Sequence, residues 1–93
     1  MARASARHIL VSDETDCNTL KSLIECGEDF AEIAKVHSKC PSGKQGGALG
    51  EFSPGQMVRE FDEVVFSGEI GKVLGPVKTQ FGYHLIEITD RTA

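Results

Sequence analysis

From Ala4 to Val11 apolar and polar positions alternate, with His8 and Leu10 on one face and Arg7, Ile9 and Val11 on the other, which predicts a strand ending at Ser12-Asp13. The period then lengthens. From Thr15 to Glu25 the spacing of Cys17, Leu20, Leu23 and Ile24 is helical, and Gly27 stands where a left-handed cap closes a helix. Asp29 is placed to cap a second helix whose apolar face is Phe30, Ile33, Ala34 and His37. The short Gly27-Glu28 link predicts that these two helices form an antiparallel hairpin. Residues 38–50 have no period and four glycines, which predicts an irregular loop leading into a short strand around Leu49 to Phe52. After a Pro54-Gly55 turn, Met57, Val58, Phe61, Val64 and Val65 trace a third amphipathic helix ending near Ser67-Gly68. A hairpin follows. Val73 to Lys78 is broken by Pro76 and belongs at a sheet edge, while Tyr83 to Thr89 alternates as an interior strand does.

Strands at both ends with helices between them cannot be assembled from consecutive βαβ crossovers. The expected fold is therefore α+β: three to four helices covering a small, mainly antiparallel sheet in which the first and last strands are central neighbours. The chain has 93 residues, 40% hydrophobic and 26% charged, so it has the size of one domain spanning residues 1–93 with one core. Few apolar residues remain for an obligate interface, which favours a monomer. No apolar run approaches a membrane span, and the first eight residues lack the apolar centre of a signal peptide, so a soluble, cytoplasmic protein is expected. The net charge of −4 is spread out and the lysines and arginines form no run, which argues against nucleic acid or an anionic membrane as partner. The three cysteines, Cys17, Cys26 and Cys40, cannot all pair internally and show no Cys-x-x-Cys spacing, as expected of reduced thiols.

Two histidines stand on otherwise apolar strand faces: His8 beside Leu10, and His84 beside Ile86 and Ile88. If the first and last strands pair, the imidazoles meet at hydrogen-bond distance, one donating and one accepting. A buried polar pair that only ties two strands together fits the same pattern. Cys40, held extended by Pro41, has three readings: a nucleophile paired with histidine, a zinc ligand with His8 and His84, or an inert small hydrophobe. The first lacks any sign of an oxyanion hole and the second lacks the close ligand spacings of zinc modules. Ser42-Gly43-Lys44-Gln45-Gly46-Gly47 does not follow the order of a phosphate-binding P-loop. Leu49, Met57, Phe61 and Phe81 fit either a core or a shallow apolar pocket.

Taken together, His8-Ile-Leu-Val, Cys40-Pro-Ser-Gly-Lys-x-Gly-Gly-x-Leu-Gly50, Gly55-Gln-Met-Val-x-x-Phe61 and Thr79-x-Phe-Gly-Tyr-His84 strongly resemble the parvulin family of peptidyl-prolyl cis/trans isomerases in order and spacing. The likeness spans the chain and is to the single-domain bacterial form. It implies a four-stranded antiparallel sheet wrapped by helices, a parvulin/FKBP-like fold with a shallow groove on one side. It also implies that Leu49, Met57 and Phe61 form a proline-ring pocket, with Gln56 flanking it and Phe81 at its rim. His8, His84 and Thr79 match the family's buried histidine network, and Cys40 a position that is cysteine or aspartate in other members.

Such chemistry needs no cofactor, metal or covalent step, because the obstacle is rotation about a C–N bond with a barrier of ~18–20 kcal/mol. An apolar pocket that desolvates the planar amide favours its twisted transition state. The implied partners are proline-containing peptides and unfolded or partly folded proteins. Phosphate-directed parvulins carry a basic loop after the first strand, whereas Ser12-Asp13-Glu14-Thr15-Asp16 is acidic, so unphosphorylated substrates are expected. The alternative function is a non-catalytic chaperone module that holds proline-containing segments in the same groove.

Overall fold

The computed structural model describes residues 3–92. Strand β1 (Arg3–Val11) leads into helix α1 (Glu14–Glu25), where the Asp13 side chain accepts from the Thr15 N–H at 3.0 Å. The helix ends through Gly27, at φ 113°, with the Glu28 N–H returning to the Leu23 carbonyl. Helix α2 (Phe30–His37) is capped by Asp29, whose carboxylate accepts from the Glu32 N–H at 3.1 Å. A 3-10 turn at Pro41–Gln45 precedes β2 (Ala48–Phe52). Helix α3 (Arg59–Ser67), β3 (Val73–Thr79) and β4 (Gly82–Thr92) complete the chain.

The four strands form one antiparallel sheet in the order β2-β1-β4-β3, so the two strands furthest apart in sequence are the central pair. Pro76 lies on the edge strand, between Leu74 and Val77 where the ladder register shifts, and its missing N–H removes no central hydrogen bond. The alternation along β1 and β4 feeds two separate cores. Ile9, Val11 and Leu85 pack with Cys17, Leu20, Phe30, Ile33 and Ala34 from α1 and α2. Ala4, Ala6 and Ile86 face the other way, against Phe52, Phe61 and Val65. The last carbonyls of α3 are satisfied from the sheet: Arg91 Nη1 donates to the Val65 and Gly68 carbonyls at 2.9 and 2.7 Å.

Several local expectations are corrected. α1 and α2 share one apolar cluster, but each lies against the sheet more than against the other. Leu23 and His37 are exposed, because the sheet is covered by Cys17 and Leu20 from one helix and by Phe30, Ile33 and Ala34 from the other. α3 begins at Arg59, with Val58 in the extended conformation of an N-cap, so Met57 and Val58 belong to the approach to the helix. The loop before β2 is ordered in part by its 3-10 turn, although Cys40 itself is extended, as its proline neighbour requires.

Candidate active site

Both histidines come from the central strands. In the register Leu10 pairs with His84 and His8 with Ile86, which sets the two imidazoles on one face at diagonal positions. Their Nδ1 atoms are 3.0 Å apart and the rings nearly parallel, at 14°. Each ring finds a hydroxyl on its other side: His84 Nε2 is 2.7 Å from Thr79 Oγ1, and His8 Nε2 is 3.1 Å from Ser42 Oγ. Thr79 Oγ1 also accepts from the Phe81 N–H, and Ser42 donates to Cys40 Sγ at 3.3 Å.

These contacts have one consistent direction. Ser42 donates to sulfur, so its oxygen accepts from His8 Nε2–H, which leaves His8 Nδ1 as acceptor. His84 Nδ1–H must then donate, and His84 Nε2 accepts the Thr79 hydroxyl, whose oxygen is free to receive the Phe81 N–H. The opposite direction would leave the buried Thr79 hydroxyl proton without an acceptor. Both rings are neutral in this arrangement. Burial and the neighbouring His84 push the His8 pKa down to about 4, and burial also lowers that of His84. The loop is pressed against this pair. The His8 N–H donates to the Gly47 carbonyl at 2.9 Å, and a Cβ on Gly47, at φ 85°, would stand 2.3 Å from the His8 carbonyl oxygen.

Above the imidazoles opens a cavity of about 370 Å³. His8 and Leu10 of β1, His84 of β4 and Leu49 of β2 form its floor, with Phe61 of α3 set edge-on to both imidazoles at centroid distances of 5.6 and 5.9 Å. Met57 and Val58 close one side, Lys39, Cys40 and Pro41 another, and Phe81 stands at the β3–β4 turn. Its size and lining suit an apolar group.

Of the residues singled out in the sequence, His8, Cys40, Thr79 and His84 share the hydrogen-bond network, and Leu49, Met57, Phe61 and Phe81 line the cavity. Gln56 does not. It borders a separate recess with Arg3 and Glu51, and its Oε1 accepts from the Ser53 N–H at 2.7 Å, tying the turn that carries Met57. Cys40 is not paired with an imidazole, since Ser42 stands between them, and so no nucleophile-base couple exists here. All four imidazole nitrogens are engaged, and among the described residues no three His, Cys, Asp or Glu side chains gather as metal ligands. Ser42 and Lys39 were missed by sequence reasoning. A proline at the start of a helical turn was the one sign that the chain folds Ser42 back toward His8.

The family profile described as Rotamase, PPIC-type PPIase domain, matches residues 8–90, from His8 past His84. The chain belongs to the PPIC-type peptidyl-prolyl isomerase family, the parvulins. As a parvulin it is a rotamase domain, and its relatives share the fold closely. It is 47% identical over 87 residues to the foldase protein PrsA of Geobacillus sp. strain WCH70, covering 92% of this chain and 32% of that protein. The crystal structure of the peptidylprolyl isomerase PrsA from Bacillus anthracis superposes with a TM-score of 0.95 at 36% identity, over 99% of this chain and 43% of the other. NmPin, the parvulin of Nitrosopumilus maritimus, has a TM-score of 0.85 at 35% identity and matches over 95% of this chain and 96% of its own. The chain thus spans about a third of the length of the curated foldases it matches.

Proposed function

We propose that this parvulin accelerates rotation about Xaa-Pro bonds in unphosphorylated peptides and folding proteins by non-covalent stabilisation of the twisted transition state. What supports this above all is the contact between an almost wholly apolar cavity and a fully satisfied network of neutral histidines. A proline ring enclosed by Leu49, Met57, Phe61 and Phe81 brings its amide out of water. The planar, dipolar amide loses more from that transfer than the twisted one does, and the barrier of ~18–20 kcal/mol falls accordingly. In this reading His8, Cys40, Thr79 and His84 tune the field at the carbonyl and hold the groove's shape, while Gln56 acts indirectly by fixing the turn before Met57. Each ~1.4 kcal/mol removed from the barrier gives tenfold in rate. No proton is transferred, and no metal or cofactor is required.

Unphosphorylated substrates follow from charge. Phosphopeptide recognition uses clustered arginines, whereas among the described residues Lys39 is the one cation lining the cavity, and after β1 the chain carries Asp13 at the cap of α1 with Glu14 and Asp16 in its first turn. We read residues 1–93 as one domain, active as a monomer on proline-containing segments of unfolded proteins, with neither nucleic acid nor membrane as partner. The free thiols of Cys17, Cys26 and Cys40 suit the reducing cytoplasm; recovery of the native protein outside the cytoplasm would overturn that placement.

The test is cis/trans exchange of an unphosphorylated Ala-Leu-Pro-Phe-type peptide by NMR, with Met57→Ala as control, because Met57 is only half-buried while Phe61 is part of the core. Exchange far faster than the spontaneous tens of seconds, and lost in the control, is expected. One observation favours the chaperone reading: an exposed Phe81 beside an apolar cavity would hold proline segments without speeding rotation. Binding with no acceleration is its signature.

A further inference from the structure

The active-site cavity meets a second hollow at Lys39. That residue also walls a recess of about 420 Å³ bordered by Leu20 and Leu23 of α1, Val36 of α2 and Asp16. The junction is fixed by backbone: the Lys39 N–H donates to the Leu10 carbonyl at 2.7 Å. Leu10 lines the cavity while the next residue, Val11, lines the recess. Among the described residues the large apolar side chains left exposed are Leu23 (42%), Val36 (74%), Ile70 (45%) and Phe81 (60%). Leu23 and Val36 border the recess and Phe81 borders the cavity, so all but Ile70 border one of two hollows that adjoin at Lys39, around the end of β1. Single exposed apolar residues are ordinary, but such residues grouped at two hollows that adjoin beside an active site mark a contact surface. Leu23 and Val36 belong to neither core, so the fold does not require them. Lys39 makes no ion pair among the described residues and lines both hollows.

We infer that this recess is a second subsite for the same client chain: while a proline occupies the cavity, an apolar side chain a few residues away in the same extended segment packs on Leu20, Leu23 and Val36. The inference rests on the isomerase reading and names its substrate class, extended unfolded segments with an apolar residue spaced from proline. An extended chain advances ~3.3 Å per residue, so spacings of three to five residues are the range to scan. Because both contacts belong to one chain, the second forms at high effective concentration.

The experiment compares an Ala-Leu-Pro-Phe-type tetrapeptide with longer unphosphorylated peptides carrying a single Leu, or Ser in its place, three to five residues to either side of the proline. Leu23→Asp/Val36→Asp is the variant, since both side chains are exposed. At one spacing the Leu peptide should exceed its Ser counterpart about tenfold in kcat/KM. The variant should abolish that difference and leave tetrapeptide turnover unchanged. Equal turnover of Leu and Ser peptides at every spacing would overturn the inference while the isomerase reading stood, and so would a variant that slows all peptides alike. If no peptide is turned over, the isomerase reading fails and amide chemical shifts decide: movement at residues 20–23 and 36 with the Leu peptide alone supports the subsite, and its absence overturns it.

Discussion

Under α1 and α2 the sheet presents Ile9, Val11 and Leu85, which meet apolar side chains of both helices. On the opposite side α3 covers Ala4, Ala6 and Ile86 but leaves His8, Leu10 and His84 beneath an open cavity. The same two strands supply both faces, so the difference lies in how far each face is covered and in one exchange of residue type per strand. Where cover is complete, apolar packing dominates, with the Arg7–Glu87 ion pair and the Arg7 guanidinium over Phe30 beside it. Where it stops, a polar network can be buried because every nitrogen and oxygen in it has a partner. The covered face thus serves stability alone, whereas the open face combines a core of its own with the site, so a substitution on the covered face should spare the chemistry.

The sharpest break should come on the covered face. Phe30 is 2% exposed, with the Arg7 guanidinium 4.6 Å from its ring centroid. Phe30→Ala should lower unfolding free energy by ~3–5 kcal/mol in urea titration. The fraction that remains folded should keep peptide exchange within about twofold of the parent. A large fall in turnover per folded molecule would show that the faces are coupled.

Titration should separate the faces next. His8 has a pKa near 4 when folded against 6.5 when free, so the unfolded chain binds the proton first as pH falls. Stability from this source is complete above pH ~6.5 and is lost toward pH ~4, by about 3 kcal/mol at the limit. His84 adds in the same direction. On the covered face Cys17 behaves in the opposite sense. Burial first, then Glu14, raises its thiol pKa from 9.0 to about 11, so stability declines as pH rises between those values. Denaturation midpoints against pH should fall at both ends, with Cys17→Ala flattening only the alkaline side.

Thr79→Val tests the network at nearly constant shape. It removes the acceptor of the Phe81 N–H and the donor to His84 Nε2, and should lower stability by ~1–3 kcal/mol in urea titration. Peptide exchange should slow as well, because the same hydroxyl holds the turn that carries Phe81. Unchanged stability would mean that water replaces the hydroxyl.

The sequence made legible what is periodic or stereochemically forced. Alternation in β1 and β4 put His8 and His84 on one face; Asp29, Gly27 and Pro76 marked a cap, a helix end and a sheet edge. Residues whose placement depends on distant partners were not legible. Met57 and Val58 share the helical phase of Phe61, yet extended backbone at Val58 sets both before α3, where they wall the cavity. Ser42 meets His8 across 34 residues of sequence, through a turn that has no hydrophobic period. The family resemblance sets Gln56 beside the pocket, but its side-chain oxygen is turned to the Ser53 N–H and ties the turn before Met57.

Cys40→Ser should have the smallest effect, and its size discriminates between mechanisms. A nucleophilic cysteine would make the substitution nearly abolish turnover, since a neutral serine hydroxyl beside Ser42 has no base to activate it. In the structure Cys40 Sγ only receives the Ser42 hydroxyl proton at 3.3 Å, at the end of a chain of donors that begins at Phe81. A serine oxygen accepts the same proton, so the direction of donation through His8 and His84 is preserved, and what changes is the size and polarizability of one atom at the cavity wall. Turnover should therefore stay within tenfold of the parent, a barrier change below ~1.4 kcal/mol, with the denaturation midpoint unmoved. If exchange vanishes while the fold and peptide affinity persist, sulfur takes part in the chemistry directly, and the non-covalent mechanism fails at that atom.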